Sequence, residues 1–164
     1  MARRYWLLKS EPETFSIADL ERAPGQTTFW DGVRNYQARN LLRDEIKVGD
    51  GVLFYHSSAD PPAVAGTAEV VGAGAPDPTQ FDARSSHRDP DSPPGDPRWF
   101  GVTIKLGRVF GRAIPLPELR AHPALKEMVL LRKGSRLSVQ PVSAKEWETI
   151  VKLGGSGGKN GSAP

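Results

Sequence analysis

Cysteine is absent from this chain of 164 residues, and methionine and histidine are scarce, with two and three copies. A chain without cysteine has neither disulfides nor thiolate metal sites. The three histidines, His56, His87 and His122, form no His-x-x-x-His pair, which argues against a zinc site. We therefore expect no metal and no cofactor.

Long hydrophobic runs and a large charge of one sign are also lacking. The apolar stretch Tyr5–Leu8 is far too short for a signal peptide or a membrane span. Lys and Arg number 22 against 19 Asp and Glu, so the net charge is only +3. This mild excess permits contact with a phosphate backbone but lacks the dense basic stripe of a strong nucleic-acid binder. We expect no membrane partner, and a location in the cytoplasm, or in the nucleus if the organism is eukaryotic.

Glycine and proline are abundant, and their 17 and 15 copies argue against a helical bundle. Capping boxes at Ser16 and Ser143, and helical spacing after Asn35, predict short helices. Gly66, inside an apolar run, indicates a bulge or a close backbone approach. Apolar and alternating runs predict strands at Tyr5–Lys9, Thr27–Trp30, Val52–His56, Ala63–Val71, Trp99–Leu106 and Arg136–Val142.

This order of elements predicts an α+β fold, a small curved β-sheet or open β-barrel with flanking short helices. We expect residues 1–153 to form a single domain, and the Gly/Ser-rich residues 154–164 to form a flexible tail. Residues 76–97 are predicted to be a loop. Their composition leaves open whether this loop covers a site or runs over the surface.

The segment Trp30–Asn40 combines an aromatic ring, a glycine turn and polar side chains ahead of an amphipathic run. This mixture suits a pocket for a planar ligand with polar edges, such as a nucleobase. Stacking on an indole is worth about 1–3 kcal/mol for any base, so it gives affinity without selecting one. A lone tryptophan more often fills a core, but Asp31 and Asn35 beside it favour the pocket.

Four segments resemble, in this order, the EVE domain family: Tyr5–Pro12, Trp30–Asn40, Phe54–Ser57 and Arg136–Val142. The resemblance extends to about Leu153 and implies a PUA-like β-barrel, related to the YTH domains that read methylated adenine in RNA. EVE domains, many of them bacterial, are regarded as readers of modified bases in DNA or RNA, chiefly modified cytosine and sometimes adenine.

Motif and resemblance together predict a non-catalytic, monomeric nucleic-acid-binding module. It would recognise a modified cytosine or adenine in DNA or RNA by flipping the base into an aromatic cage. Leu137 and Ser138 enter the pocket on the resemblance alone, and Lys9–Glu11 largely so. The residues expected to line the base-binding pocket are Lys9, Ser10, Glu11, Trp30, Asp31, Val33, Arg34, Asn35, Phe54, Tyr55, His56, Trp99, Leu137 and Ser138. The residues expected to hold phosphates are Arg39, Arg43, Arg132, Lys133 and Arg136.

Simpler structural roles compete with these assignments. From spacing alone, Lys9–Glu11 is a solvated strand exit, Arg34 and each outer basic residue are surface side chains, and Asn35 is a helix cap. A structural role is also common for a histidine such as His56.

Two other function classes also stay open. The first is a small hydrolase of modified nucleosides or nucleotides, like the ASCH-type relatives of the PUA-like fold, with Glu11 or Asp31 as its base. The second is a domain that docks a protein partner through exposed aromatic side chains. Turnover that depends on either carboxylate would favour the hydrolase.

Overall fold

The computed structural model describes residues 3–133 and 137–156. Four α-helices flank the sheet: α1 Ile17–Arg22, α2 Tyr36–Asn40, α3 Leu116–Ala121 and α4 Ala144–Ser156. A single π-helical turn, Leu41–Glu45, follows α2, and short 3-10 segments lie at Pro24–Gln26, Pro78–Phe81, Pro123–Leu125 and Val129–Leu131. The strands are β1 Tyr5–Ser10, β2 Thr27–Phe29, β3 Gly51–His56, β4 Ala63–Pro76, β5 Phe100–Pro115 and β6 Val139–Val142.

The six strands form one mixed sheet in the order β2-β5-β4-β3-β1-β6. The pair β1–β3 is parallel, and the other pairs are antiparallel. The long β4–β5 ladder changes register at several points, and such bulges bend a sheet. One of them lies at Gly66, whose α-carbon packs against the carbonyl oxygen of Arg108 with no room for a side chain. The predictions of a curved open sheet and of a close approach at Gly66 are both confirmed.

The two faces of the sheet carry separate hydrophobic cores. Successive side chains of a strand point to opposite faces, so neighbours on β3 belong to different cores. Phe54 packs with Trp30 on one face, which we call the Trp30 face. Tyr55 packs with Leu7 on the other, which we call the Tyr55 face.

Both predicted capping boxes are present. Ser16 accepts a hydrogen bond from the Asp19 N–H while Asp19 accepts one from the Ser16 N–H, and Ser143 and Glu146 repeat the pattern before α4. Helix α4 continues to Ser156, beyond the predicted end at Leu153, and Gly154 is buried against the ring of Phe110.

Several predicted boundaries shift. Strands β4 and β5 are longer than predicted, because their ladder continues past Val71 and Leu106. The last strand begins at Val139, and the predicted first residue of that strand, Arg136, lies outside the described residues, as does the predicted tail after residue 156. Across residues 3–133 and 137–156, no helix has the length and apolar character needed to cross a membrane.

Candidate functional site

A cavity of about 500 Å³ opens on the Trp30 face, where β1 and β2 end. Segments that are far apart in the sequence meet there. Its lining includes eight of the predicted pocket residues: Lys9, Ser10, Glu11, Trp30, Asp31, Val33, Arg34 and Ser138. Its other lining residues were not predicted: Thr14, Phe15, Thr28, Phe29, Gly32 and His87. We call this space the first cavity.

Trp30 belongs both to the core and to the cavity wall. Its side chain is only 7% exposed. Phe15 and Phe54 stand perpendicular to its ring, at centroid distances of 6.5 and 5.4 Å. The Trp30 N–H donates to the Val102 carbonyl at 2.7 Å, which fixes the backbone beside β5. Among the described aromatic side chains, none stacks parallel on Trp30.

A buried ion pair holds the backbone that follows Trp30. The side chain of Asp77 is fully buried, and one of its oxygens accepts from the Gly32 N–H at 2.8 Å and from Arg34 Nη1 at 3.0 Å. Arg34 also donates to the His87 carbonyl through Nε and Nη2, at 3.0 and 2.6 Å. Arg34 therefore ties the segment after Trp30 to the loop formed by residues 77–99, and its charge is already paired.

His87 is the main contribution of the 77–99 loop to the first cavity. Its imidazole lies so close to Gly32 that a Cβ at that position would come within 2.7 Å of the ring. Gly32 also has a φ of +80°, which an L side chain rarely adopts. Only glycine fits both the turn and the ring above it, so the loop predicted at residues 76–97 is packed onto the site.

The pKa values of the two carboxyls near this wall, Asp31 and Asp77, are shifted in opposite directions. Burial raises the pKa of Asp31 above its usual value, and the nearby charge of Asp77 adds to the rise, with His87 and Arg34 partly opposing it. Burial would also raise the pKa of Asp77, but the hydrogen bonds from Thr79, Gly32 and Arg34 outweigh it and lower that pKa. Asp77 is thus a fixed anion of the framework, whereas Asp31 is an exposed carboxyl on the cavity wall.

The predicted cage residues Phe54 and Tyr55 do not line this cavity. Phe54 is fully buried behind Trp30, and Tyr55 points to the opposite face of the sheet. Two adjacent strand residues cannot form one wall, because their side chains alternate. Phe15 and Phe29 supply the additional rings instead.

Three further predicted pocket residues serve the framework. His56 accepts the Ile17 N–H at the start of α1, and burial lowers its pKa. Asn35 caps α2 by accepting the Ala38 N–H. Leu137 packs on the core of the Trp30 face.

Trp99 organises the 77–99 loop rather than the cavity. Its indole N–H donates to Asp89 at 2.7 Å, and its ring stacks on Tyr36 with a centroid distance of 4.8 Å. Its backbone N–H donates to the buried Gln80. Its 5% exposure is explained by these contacts.

The strand end that precedes the cavity is well ordered by hydrogen bonds. The Ser10 hydroxyl donates to the Phe15 carbonyl, and the Lys9 N–H donates to the Ser138 carbonyl at 2.9 Å. The solvated-exit interpretation of Lys9–Glu11 is therefore wrong for Ser10, whose hydroxyl shapes the turn that carries Phe15.

The predicted phosphate-binding residues fall into two groups. Arg39 donates to the Arg98 carbonyl, and Arg43 is paired with Asp44 at 2.8 Å, so neither guanidinium is unpartnered. Arg132 and Lys133 line a second cavity, on the Tyr55 face. Arg136 lies outside the described residues.

The curved open sheet, with a cavity at the strand ends, defines the class of the protein as a PUA-like domain. At the level of the fold alone, an ASCH protein from Zymomonas mobilis is similar, with a TM-score of 0.56 at 14% identity over 92% of this chain and 99% of that one. The model of the EVE domain matches residues 4–153. The chain belongs to the EVE domain family.

Relatives of known name and structure agree with this assignment. Human thymocyte nuclear protein 1 is 44% identical over 166 aligned positions, which cover 91% of this chain and 73% of that protein. The crystal structure of human THYN1 in complex with 5-methylcytosine-containing DNA has a TM-score of 0.86 at 42% identity, covering 92% of this chain and 96% of that chain. A protein from Pseudomonas syringae has the same TM-score at 44% identity, with 91% and 98% covered.

Proposed function

We propose that this EVE domain recognises a modified cytosine or adenine in DNA or RNA, by holding the flipped base in the first cavity. The observation that carries the proposal is the open space of about 500 Å³ beside Trp30, a ring that has no parallel partner among the described side chains. The human THYN1 complex with 5-methylcytosine-containing DNA makes methylated cytosine in DNA the first ligand to test.

The aromatic part of the cavity suits a methylated ring. A buried methyl group is worth about 1 kcal/mol, so a fitted apolar wall is needed to discriminate it. Phe15, Phe29 and Trp30 supply that wall. Stacking on Trp30 would add affinity for any base, and the fit around the modification would select among them.

The polar part suits the edge of an amino-bearing base. An ionised Asp31 accepts hydrogen bonds, and cytosine and adenine both present an exocyclic amino donor. His87, on the same wall, would add the edge of an imidazole ring.

The domain acts, in this proposal, as a monomeric binding module without a catalytic step, in the cytoplasm or in the nucleus. Glu11 and Asp31 both line the cavity, which is the observation in favour of the hydrolase alternative. Turnover would decide between the two, since a reader releases the base unchanged.

The test uses oligonucleotides of DNA and RNA that carry 5-methylcytosine, 5-hydroxymethylcytosine or N6-methyladenine, each beside its unmodified counterpart. Affinity is measured by calorimetry, and the products are analysed by chromatography after long incubation. We expect preference for at least one modified base and no product. Turnover that disappears in Glu11→Gln or Asp31→Asn would replace the reader by a hydrolase.

Trp30→Leu tests the site within the same experiment. Leucine keeps an apolar side chain in the core but removes the stacking ring, so affinity should fall on the order of tenfold or more. Trp147→Leu is the matched control, because that indole stacks on Tyr5 outside the first cavity. Unfolding curves of both variants separate lost stacking from lost stability. Unchanged affinity in a folded Trp30→Leu variant would reject the proposed site.

A further inference from the structure

A second cavity, of about 490 Å³, lies on the Tyr55 face of the sheet. It is formed where the end of β1 meets α3 and the segment after the last 3-10 turn. Its lining combines apolar side chains with four cations and no carboxylate: Lys9, Tyr55, Leu116, Arg120, Leu130, Leu131, Arg132 and Lys133.

No described acidic side chain lies within ion-pair distance of the cations of this cavity. None of the ion pairs among the described residues involves Lys9, Arg120, Arg132 or Lys133. Arg120 donates to the Leu131 carbonyl at 3.3 Å, a contact that positions its guanidinium without cancelling its charge. A concave group of unpaired cations attracts an anion.

Lys9 connects this cavity to the first one. It is the residue that both linings contain. Its ammonium lies 6.0 Å from the centre of the Tyr55 ring, and partial burial lowers the pKa of Lys9. The adjacent residue, Ser10, lines only the first cavity of the two. A ligand that fills both spaces must therefore carry a planar ring and an anion, placed on the two sides of Lys9.

A nucleotide has this composition, because its phosphate is joined to its base through one sugar. We propose that the second cavity binds a phosphate group attached to the nucleoside whose base occupies the first cavity. The inference deepens the proposed function and rests on it. Phosphate contacts of this kind position a nucleic acid without reading its sequence, so this cavity would supply affinity and register while the first cavity selects the base.

The phosphate can come from two sources, a terminal monoester or a diester within a strand. The experiment therefore compares four probes: 5-methyl-2′-deoxycytidine, its 5′-monophosphate, its 3′-monophosphate, and a short single-stranded DNA with one internal 5-methylcytosine. The modified base that the oligonucleotide screen selects replaces 5-methylcytosine if it differs. We expect at least one monophosphate to bind on the order of tenfold more tightly than the nucleoside, since charge-assisted hydrogen bonds are strong. The better monophosphate identifies the side of the sugar, and the DNA shows whether a diester is accepted.

Arg132→Gln and Lys133→Gln assign the gain to the second cavity. Each should remove most of the advantage of the monophosphate while the affinity for the nucleoside stays unchanged. Lys105→Gln is the matched control, because Lys105 is an exposed cation on β5 that lines neither cavity. Arg120→Gln removes a third cation of the cavity, but it also removes the hydrogen bond to the Leu131 carbonyl. The melting temperature of this variant is therefore measured together with its affinity.

The outcomes separate the two proposals. A nucleoside that binds, with no gain from either phosphate or from the strand, would overturn the second-cavity proposal and leave the base pocket standing. An equal loss in Lys105→Gln and Arg132→Gln would overturn it as well, because the effect would then be general surface charge. No binding of any modified nucleoside or strand would overturn both proposals.

Discussion

The two cavities at the end of β1 are built on different principles. The first is walled by aromatic rings and held by a buried ion pair, and its exposed carboxyl lacks a firm partner. The second gathers four cations around a tyrosine and aliphatic side chains, and none of the four forms an ion pair with another described residue. In the two proposals, selection of the base and binding of the phosphate therefore lie on opposite faces of one sheet. Lys9 is the residue that lines both cavities. Variants can therefore damage one cavity and spare the other.

Arg34→Met should give the largest effect. It leaves the fully buried carboxylate of Asp77 without its cation, which we expect to destabilise the fold by about 3 kcal/mol. The variant also releases the His87 carbonyl, so binding of the modified base should fall. Urea unfolding measures the first effect and calorimetry the second. The gain in affinity of the monophosphate over the nucleoside should persist wherever the variant is folded, and loss of that gain would contradict separate contributions from the two cavities.

The same pair predicts a pH dependence of stability. Because the pKa of Asp77 is lowered by folding, its ionised form stabilises the protein above the pKa of the unfolded chain, near about 4. That contribution is lost as the pH falls through the lowered pKa of the folded state. Unfolding free energies measured from pH 7 down to pH 2 should show a weaker acid dependence in Arg34→Met, which lacks one of the groups that lower this pKa. If the unfolding free energies of wild type and variant had the same dependence on pH, Arg34 would not lower the pKa of Asp77.

Asp31→Asn should have the next largest effect, and only on the first cavity. A hydrogen bond to an ionised partner contributes about 1.5–3 kcal/mol, so affinity for a modified cytosine should drop by tenfold or more. In the wild type, affinity should decline as the pH falls through the pKa of Asp31, which burial raises. The asparagine variant should lack that step. Titration of the complex by fluorescence at several pH values makes the comparison.

Asn35→Ala tests whether a motif residue is structural. Its side chain caps α2, so we expect a loss of about 1 kcal/mol in the free energy of unfolding. Affinity for the modified base should stay within twofold of the wild type, about 0.4 kcal/mol. A large loss of affinity at unchanged stability would instead return Asn35 to the pocket.

The smallest effect is expected at Arg43. Its guanidinium is paired with Asp44, so Arg43→Gln should leave the salt dependence of oligonucleotide binding unchanged. Lys133→Gln, in the second cavity, should reduce the slope of log affinity against log salt by about one. Equal slopes of log affinity against log salt in Arg43→Gln and Lys133→Gln would contradict the prediction that only the cation in the second cavity contacts a phosphate.

Much of the fold could be predicted because its signals are local. The capping boxes at Ser16 and Ser143 involve residues only three positions apart in the chain. The bulge at Gly66 was predicted from a glycine inside an apolar strand pattern. Strand alternation is a local signal too, and it is sufficient to assign the adjacent residues Phe54 and Tyr55 to opposite faces of β3. Phe29, an aromatic residue next to Trp30 at the end of a predicted strand, could have been identified in the same way.

Other parts of the site had no local signal. His87 lies in a Pro-rich loop, 53 residues from Arg34, and nothing around it in the sequence marks it as a wall. Arg34 has the pattern of a surface residue because its partner, Asp77, is 43 residues away in the chain. Arg120 sits at the end of a short helix, where a basic residue has an ordinary role beside the helix terminus.

The amino-acid sequence by itself determined the strands and caps, the family, and the placement of a ring and a carboxyl next to each other at Trp30 and Asp31. These depend on contacts between near neighbours, which spacing encodes. Only the tertiary structure decided which rings line the first cavity, which carboxyl is paired with Arg34, and that Lys9 lines both cavities. Those properties depend on burial and on distances between remote segments, and both arise only when the two cores pack on the faces of the sheet.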